Sequence, residues 1–154
     1  MMRLALSRDQ REILQAALQR AGRREIGGQL YGEQLAPSHF LVTHLTVQHA
    51  PGTISRFIVD LTQATKDAFT FFQRTQRKYA QFNYIGEWHS HPSYAVLPSS
   101  TDRSTMRTLV TDSTFKGYFA VLLIARLDGE MLTAGAWLFD PAGREMSVPL
   151  EWPE

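Results

Sequence analysis

Two histidines separated by a single residue, His89 and His91, carry the clearest chemical signal in this sequence. Residues 84–91 favour a β-strand, and because side chains on a strand alternate between its two faces, both imidazoles point the same way. Two imidazoles in that position can bind one metal ion at about 2.0–2.1 Å each. Pro92 then ends the strand. The pattern therefore predicts a metal site at the end of a strand.

Asp102 is the candidate for a third ligand, because it lies in the first turn of a helix that Ser99 begins. The helix dipole favours a carboxylate there, and capping of the helix together with Ser99 explains the residue as well as metal binding does. The histidine pair, which otherwise lacks a third ligand, favours metal binding. Two histidines and one aspartate leave a fourth zinc position for water, as catalytic zinc sites require. We therefore predict that His89, His91 and Asp102 bind Zn²⁺ in a hydrolase.

A zinc hydrolase also needs a group that moves protons, and two glutamates are candidates. Glu87 alternates onto the same strand face as the two histidines, so its carboxylate could reach the bound water or a ligating histidine. Glu25 is distant in sequence, between the first predicted helix and a pair of glycines. Either glutamate could equally be a solvated surface carboxylate, and the local sequence does not indicate which of the two moves the proton.

The composition excludes several other kinds of chemistry. The 154 residues contain no cysteine, which rules out a thiol nucleophile, a disulfide and a thiolate zinc site. The formal net charge of +1 and the scattered basic residues indicate no nucleic-acid surface. The longest apolar run, residues 118–125, is too short to cross a bilayer, and the N-terminus lacks the apolar core of a signal peptide. We expect a cytoplasmic protein that binds neither nucleic acid nor membrane.

The order of the predicted elements indicates an α/β domain. Ser7 and Gln10 have the spacing of a capping box at the start of a helix, and Asp128-Gly129 is a strong signal for a hairpin turn. Helices are predicted at residues 8–21, 61–80 and 99–109, and strands at 27–33, 39–47, 84–91, 118–126, 131–139 and 144–148, with an extended piece at 57–59. We expect one domain over residues 1–154, with a mixed β-sheet flanked by helices.

The run from Glu87 to Pro92, followed by Ser99-x-x-Asp102, resembles the JAMM motif of the MPN-domain metalloproteases. In that motif His-x-His-Pro is followed by six residues and then by Ser-x-x-Asp, and every spacing agrees. Glu25, before a glycine-rich strand, resembles the upstream segment of the same family. The resemblance extends from about residue 25 to the predicted strand at 131–139, which is most of the chain.

The resemblance implies a role for each residue of the site. His89, His91 and Asp102 would bind Zn²⁺, and Glu25 would be the general base and acid. Ser99 would donate a hydrogen bond to the oxyanion of the tetrahedral intermediate. Glu87 would then have a supporting role beside the ligands or in the substrate pocket. The fold implied is a single MPN (JAMM)-like domain.

The short chain and the sequence Gly86-Glu87-Trp88 look most like the small bacterial members of this family. Those members are similar to eukaryotic deubiquitinases and occur in antiphage (CBASS-type) and ubiquitin-like conjugation operons. The resemblance implies an isopeptidase for a ubiquitin-like protein or its conjugate, for example a conjugated nucleotidyltransferase, with ubiquitin-activating (E1-like) and ubiquitin-conjugating (E2-like) partners. Residues 51–56 and 93–97 are expected to grip the substrate tail.

Two further hypotheses stay open. One is a zinc amidase that acts on a sulfur-carrier protein or a small amide. The other is an inactive MPN scaffold that only binds partners. The complete ligand set argues against the scaffold, because scaffold members usually lack one or more ligands.

Overall fold

A computed structural model describes residues 2–47, 83–112, 115 and 117–152 of the chain. The predicted extended piece at 57–59 and the predicted helix at 61–80 lie outside the described residues. The elements in chain order are β1 (Arg3–Leu6), α1 (Arg8–Ala21), β2 (Gly27–Ala36), β3 (His39–Leu45), β4 (Asn83–Ser90), α2 (Ser100–Thr111), β5 (Ala120–Asp128), β6 (Met131–Phe139), β7 (Glu145–Val148) and β8 (Leu150–Glu151).

All eight strands belong to one mixed sheet, in the order β7-β6-β5-β4-β2-β3-β1-β8. The strand β4 lies inside the sheet, antiparallel to β2 and parallel to β5. The helix α2 connects β4 to its parallel neighbour β5, as a parallel pair requires a crossover. The predicted α/β fold with a mixed sheet and flanking helices is therefore confirmed, and the strand that carries the histidines lies within it.

The helices α1 and α2 cover opposite faces of the sheet. Alternate residues of β5 divide between two apolar clusters: Leu123 packs in the cluster that contains Leu14 of α1, and Leu122 packs in the cluster that contains Met106 of α2. The run from residue 120 to 125 is buried throughout, as expected for a strand covered on both sides. Trp88 of β4 is fully buried in the α1 cluster. By alternation, its neighbour His89 faces the α2 side of the sheet.

The predicted hairpins are confirmed. The strands β2 and β3 pair antiparallel, and so do β5 and β6. Between β5 and β6 the turn contains Gly129, whose φ of 65° lies in the left-handed region that glycine adopts without strain. None of the helices in the described part of the chain is long and apolar enough to span a membrane.

The predicted capping box of α1 is wrong in its side-chain contacts. The helix begins after Ser7 as predicted, but the Ser7 side chain makes no capping hydrogen bond. The buried Gln10 side chain instead accepts a hydrogen bond from the backbone N–H of Leu45, at 2.8 Å. A buried backbone N–H at the end of β3 needs an acceptor, and Gln10 supplies it from another element.

The first strand was not predicted from the sequence. Arg3–Leu6 forms β1, which pairs parallel with both β3 and β8. Leu4 and Leu6 are fully buried in the core. Four residues are too few to show a strand period, so the strand becomes evident only from its pairing with distant segments.

Candidate metal centre

His89 and His91 lie side by side at the carboxyl end of β4. Their rings are stacked, with centroids 5.1 Å apart. His89 pairs with Gly27 of β2 on one side and with Ile124 of β5 on the other. His91 is one residue past the strand, yet its N–H still donates to the carbonyl of Ala125, at 2.9 Å. The central position of β4 therefore fixes both rings on one face, as the spacing predicted.

Asp102 reaches the same point from the start of α2. Its Oδ1 lies 2.9 Å from His89 Nε2, and its Oδ2 lies 3.2 Å from His91 Nε2. The same carboxylate accepts a hydrogen bond from the Ser99 N–H at 2.8 Å, while the Asp102 N–H donates to Ser99 Oγ at 3.1 Å. This reciprocal pair is a capping box. Helix capping by Asp102 is therefore confirmed, and the same carboxylate lies beside both imidazoles; metal binding stays a prediction.

The donor atoms suit a small metal ion that prefers nitrogen and oxygen. The ligand atoms of His89, His91 and Asp102 all lie within 4.8 Å of one another. Tetrahedral zinc with bonds of about 2.0–2.2 Å holds its ligand atoms about 3.3–3.6 Å apart, close to the distances between the carboxylate and the imidazoles. His91 Nδ1 lies 2.8 Å from the carbonyl oxygen of Ala95, and a proton shared with that oxygen leaves Nε2 free to bind metal. The three residues therefore fit a metal ion.

The electrostatics of Asp102 keep its carboxylate ionised. Burial opposes ionisation, but the hydrogen bond and charge of His89, together with hydrogen bonds from the backbone and the side chain of Ser99, lower the pKa of Asp102 to about 2. A carboxylate that accepts several hydrogen bonds is stabilised in its charged form. The ionised form is the one that can bind a metal.

Glu25 lies on the exposed segment between α1 and β2, next to the buried Ile26. Ser90, the residue between the two histidines, ties this segment to β4. Its buried Oγ accepts a hydrogen bond from the Ile26 N–H at 3.0 Å, and its own N–H donates to the Ile26 carbonyl at 2.9 Å. The tertiary structure therefore brings Glu25 beside the strand that carries the histidines.

Glu87, the other candidate for the base, is buried. Its Oε1 accepts a hydrogen bond from the Tyr84 hydroxyl, at 2.5 Å. Burial raises the pKa of Tyr31 above the usual range, and the negative charge of Glu87 raises it further. The group of ligand atoms that could hold a metal does not include Glu87. Its contacts are those of a carboxylate bound within the core, whereas Glu25 is exposed.

Tyr94 joins this site although sequence reasoning did not single it out. Its hydroxyl donates a hydrogen bond to Glu25 Oε1, and its ring centroid lies 4.3 Å from that of His91. Burial, followed by the hydrogen bond to Glu25, raises the pKa of Tyr94 above the usual range, so the hydroxyl remains a donor. Nothing in the local sequence marks a tyrosine three residues after a histidine, because its partner Glu25 is distant along the chain.

The chain resembles known proteins in sequence and in fold. The family described as "prokaryotic homologs of the JAB domain" matches residues 7–139. The chain belongs to this JAB-domain family. No curated protein sequence matches it.

Three solved structures have the fold of this JAB-domain chain. Protein DSY2949 from Desulfitobacterium hafniense is 18% identical, with a TM-score of 0.65, and the match covers 98% of this chain and 93% of that one. A protein from Salinibacter ruber is 19% identical, with a TM-score of 0.58 and coverage of 97% and 92%. AF2198, a JAB1/MPN domain protein from Archaeoglobus fulgidus, is 17% identical, with a TM-score of 0.51 and coverage of 95% and 97%. At these identities the likeness concerns the fold alone.

The JAB/MPN family contains zinc isopeptidases, its JAMM members, and also inactive members. This JAB-domain chain retains two histidines and one aspartate with converging ligand atoms. It therefore has a set of residues able to bind a metal.

Proposed function

We propose that this JAB-domain chain is a zinc-dependent isopeptidase. It hydrolyses the bond after the C-terminus of a ubiquitin-like protein, or removes that protein from a conjugate. The observation that carries the proposal is the convergence of the ligand atoms of His89, His91 and Asp102 within 4.8 Å. The contact of Glu25 with Tyr94, which packs on His91, supports it further.

Each residue has a part in the proposed reaction. His89, His91 and Asp102 hold Zn²⁺, which when bound supplies a Lewis acid that polarises a carbonyl and activates water near neutral pH. Glu25 accepts a proton from the attacking water and returns it to the leaving amine as the C–N bond breaks. Ser99 Oγ accepts a hydrogen bond from the Asp102 N–H, and in the proposed reaction its hydroxyl donates to the carbonyl oxygen of the substrate.

We propose that an extended peptide tail binds beside the site. Tyr94 and Leu97, in the loop of residues 93–97 that was expected to grip the tail, are 43% and 59% exposed. The other expected region, residues 51–56, lies outside the described residues. From the resemblance of Gly86-Glu87-Trp88 to small bacterial members of the family, we further propose a ubiquitin-like substrate in an antiphage or conjugation operon, with activating (E1-like) and conjugating (E2-like) proteins as partners. The cytoplasmic location stays a prediction from the sequence.

The test combines metal analysis with cleavage of a ubiquitin-like protein fused through its C-terminus to a reporter. We expect bound zinc and cleavage after the ubiquitin-like C-terminus. Glu25→Gln should lower kcat by about 10²–10⁴-fold, the usual loss for a general acid–base, and should keep its zinc. The matched variant Glu87→Gln should keep most of the activity.

Other outcomes would contradict the proposal. If Glu25→Gln were fully active and Glu87→Gln inactive, the assignment of the base would be wrong. A folded protein without zinc or activity would favour the scaffold hypothesis. Cleavage of a small amide or a sulfur-carrier protein, but not of the fusion, would favour the amidase hypothesis.

A further inference from the structure

We propose that Tyr94 is a positioning residue that holds the Glu25 carboxylate in place relative to the metal ligands. The inference rests on the proposed function, in which Glu25 moves the proton. Tyr94 donates its hydroxyl hydrogen bond to Glu25 Oε1 and packs its ring on His91, at 4.3 Å between centroids. One side chain thus contacts both the proposed base and a metal ligand.

Glu25 needs such support because it lies on an exposed segment. The Ser90 hydrogen bonds fix the backbone of the neighbouring Ile26, but they do not fix the carboxylate, which is separated from the backbone by three rotatable bonds. Proton transfer requires heavy atoms within about 2.6–3.2 Å, and small displacements of catalytic groups lower rates considerably. The hydrogen bond from Tyr94 limits the rotamers that the glutamate can adopt.

Tyr94 is itself held by the sheet. Its carbonyl oxygen accepts a hydrogen bond from Arg126 Nη1 at 2.9 Å. The Arg126 guanidinium also pairs with Asp128 at 3.2 Å. The next residue in the loop, Ala95, contacts His91 Nδ1 through its carbonyl. The loop after β4 therefore packs against the ligand and the base together, and β5 anchors it.

The geometry leaves the base able to act. A carboxylate has two oxygens and about four positions that accept hydrogen bonds. Tyr94 binds Oε1, so Oε2 remains for the proton of the attacking water. A positioned general base is expected to have one oxygen oriented by a neutral donor and the other oxygen able to accept the proton.

The test is Tyr94→Phe, which removes the hydroxyl and keeps the ring. Because a hydrogen bond to a charged group is lost, we expect kcat to fall about tenfold, with KM changed less than about twofold. Zinc content should stay at the wild-type value, and Tm should stay within about 2 °C. Tyr118→Phe is the matched control, since Tyr118 is 91% exposed, and it should change none of these quantities.

A second measurement does not depend on activity. The measurement compares crystal structures of the zinc-loaded wild type and of zinc-loaded Tyr94→Phe. In the wild type, Glu25 should adopt one rotamer. In the variant, Glu25 should occupy several rotamers or a new one, while His89, His91 and Asp102 keep their places. An unchanged Glu25 in the variant would overturn the inference.

The outcomes separate this inference from the proposed function. If Glu25→Gln is inactive while Tyr94→Phe retains its full kcat, the proposed function stands and the role of Tyr94 is refuted. If Tyr94→Phe loses zinc or stability, Tyr94 is a structural residue and the inference also fails. If Glu25→Gln is fully active, the proposed function fails, and the crystal structures still decide whether Tyr94 orients Glu25.

Discussion

Ser90→Ala should weaken the junction between the two histidines and the Glu25 segment. Ser90 Oγ accepts a hydrogen bond from the Ile26 N–H at 3.0 Å, and the two residues are only 1% and 2% exposed. Alanine therefore leaves a buried N–H without its acceptor, which costs about 1–3 kcal/mol. A domain of this size loses roughly 2–4 °C of Tm per kcal/mol, so Tm should fall by about 2–12 °C.

The same substitution should lower activity without removing the metal. The hydrogen bond from the Ser90 N–H to the Ile26 carbonyl remains, so the Glu25 segment loosens but does not detach. We expect kcat to fall and zinc content to stay constant, as measured by a cleavage assay and by metal analysis beside a thermal denaturation curve. Ser147→Ala is the control, because Ser147 is an exposed strand serine. A Ser90→Ala protein whose Tm lies within 1 °C of that control, about the spread expected of surface substitutions, would show that the Ile26 N–H does not depend on Ser90 Oγ.

Two more substitutions test the structure of the fold and the site. Gln10→Leu should lower the free energy of unfolding by about 1–3 kcal/mol, because the buried N–H of Leu45 loses its acceptor. Urea denaturation measures this loss. The kcat of the folded protein should not change. Asp102→Ala should weaken zinc binding more than about 100-fold in a chelator competition, since loss of a ligand exceeds the usual effect of its supporting residues, whereas Ser99→Ala should keep zinc and slow cleavage about 10²–10³-fold. Equal zinc loss in Asp102→Ala and Ser99→Ala would mean that Ser99 acts through the structure of the helix start.

The convergence of the candidate metal ligands was largely predictable because these residues are local in sequence. The strand period places His89 and His91 on one face, and Ser99, seven residues after Pro92, begins the helix whose first turn contains Asp102. In the structure, the Asp102 carboxylate takes part in the capping box with Ser99 and also lies next to both imidazoles. Local patterns cannot show that two roles coincide, because the second depends on where α2 packs against the sheet.

Contacts between distant segments were not predictable. Gln10 has the spacing of a capping residue, yet it bonds to Leu45, because burial of that N–H outweighs a solvent-exposed cap. The strand β1 was missed for the same reason, since its stability comes from pairing with β3 and β8. Propensity describes neighbours along the chain and carries no information on partners across the sheet.

The candidate ligands, the hairpins and the α/β class follow from the sequence alone, because strand alternation, helix starts and turn residues act over a few positions. Which glutamate lies exposed near the histidines and which is buried depends on tertiary contacts. Ser90 holds the segment of Glu25 beside β4, and Tyr94 contacts both Glu25 and His91 across more than sixty residues of sequence, while Glu87 bonds to Tyr84 within the core. The contacts of Glu25 form only once distant segments such as β2 and β4 have paired, and no local turn sets the register of that pair.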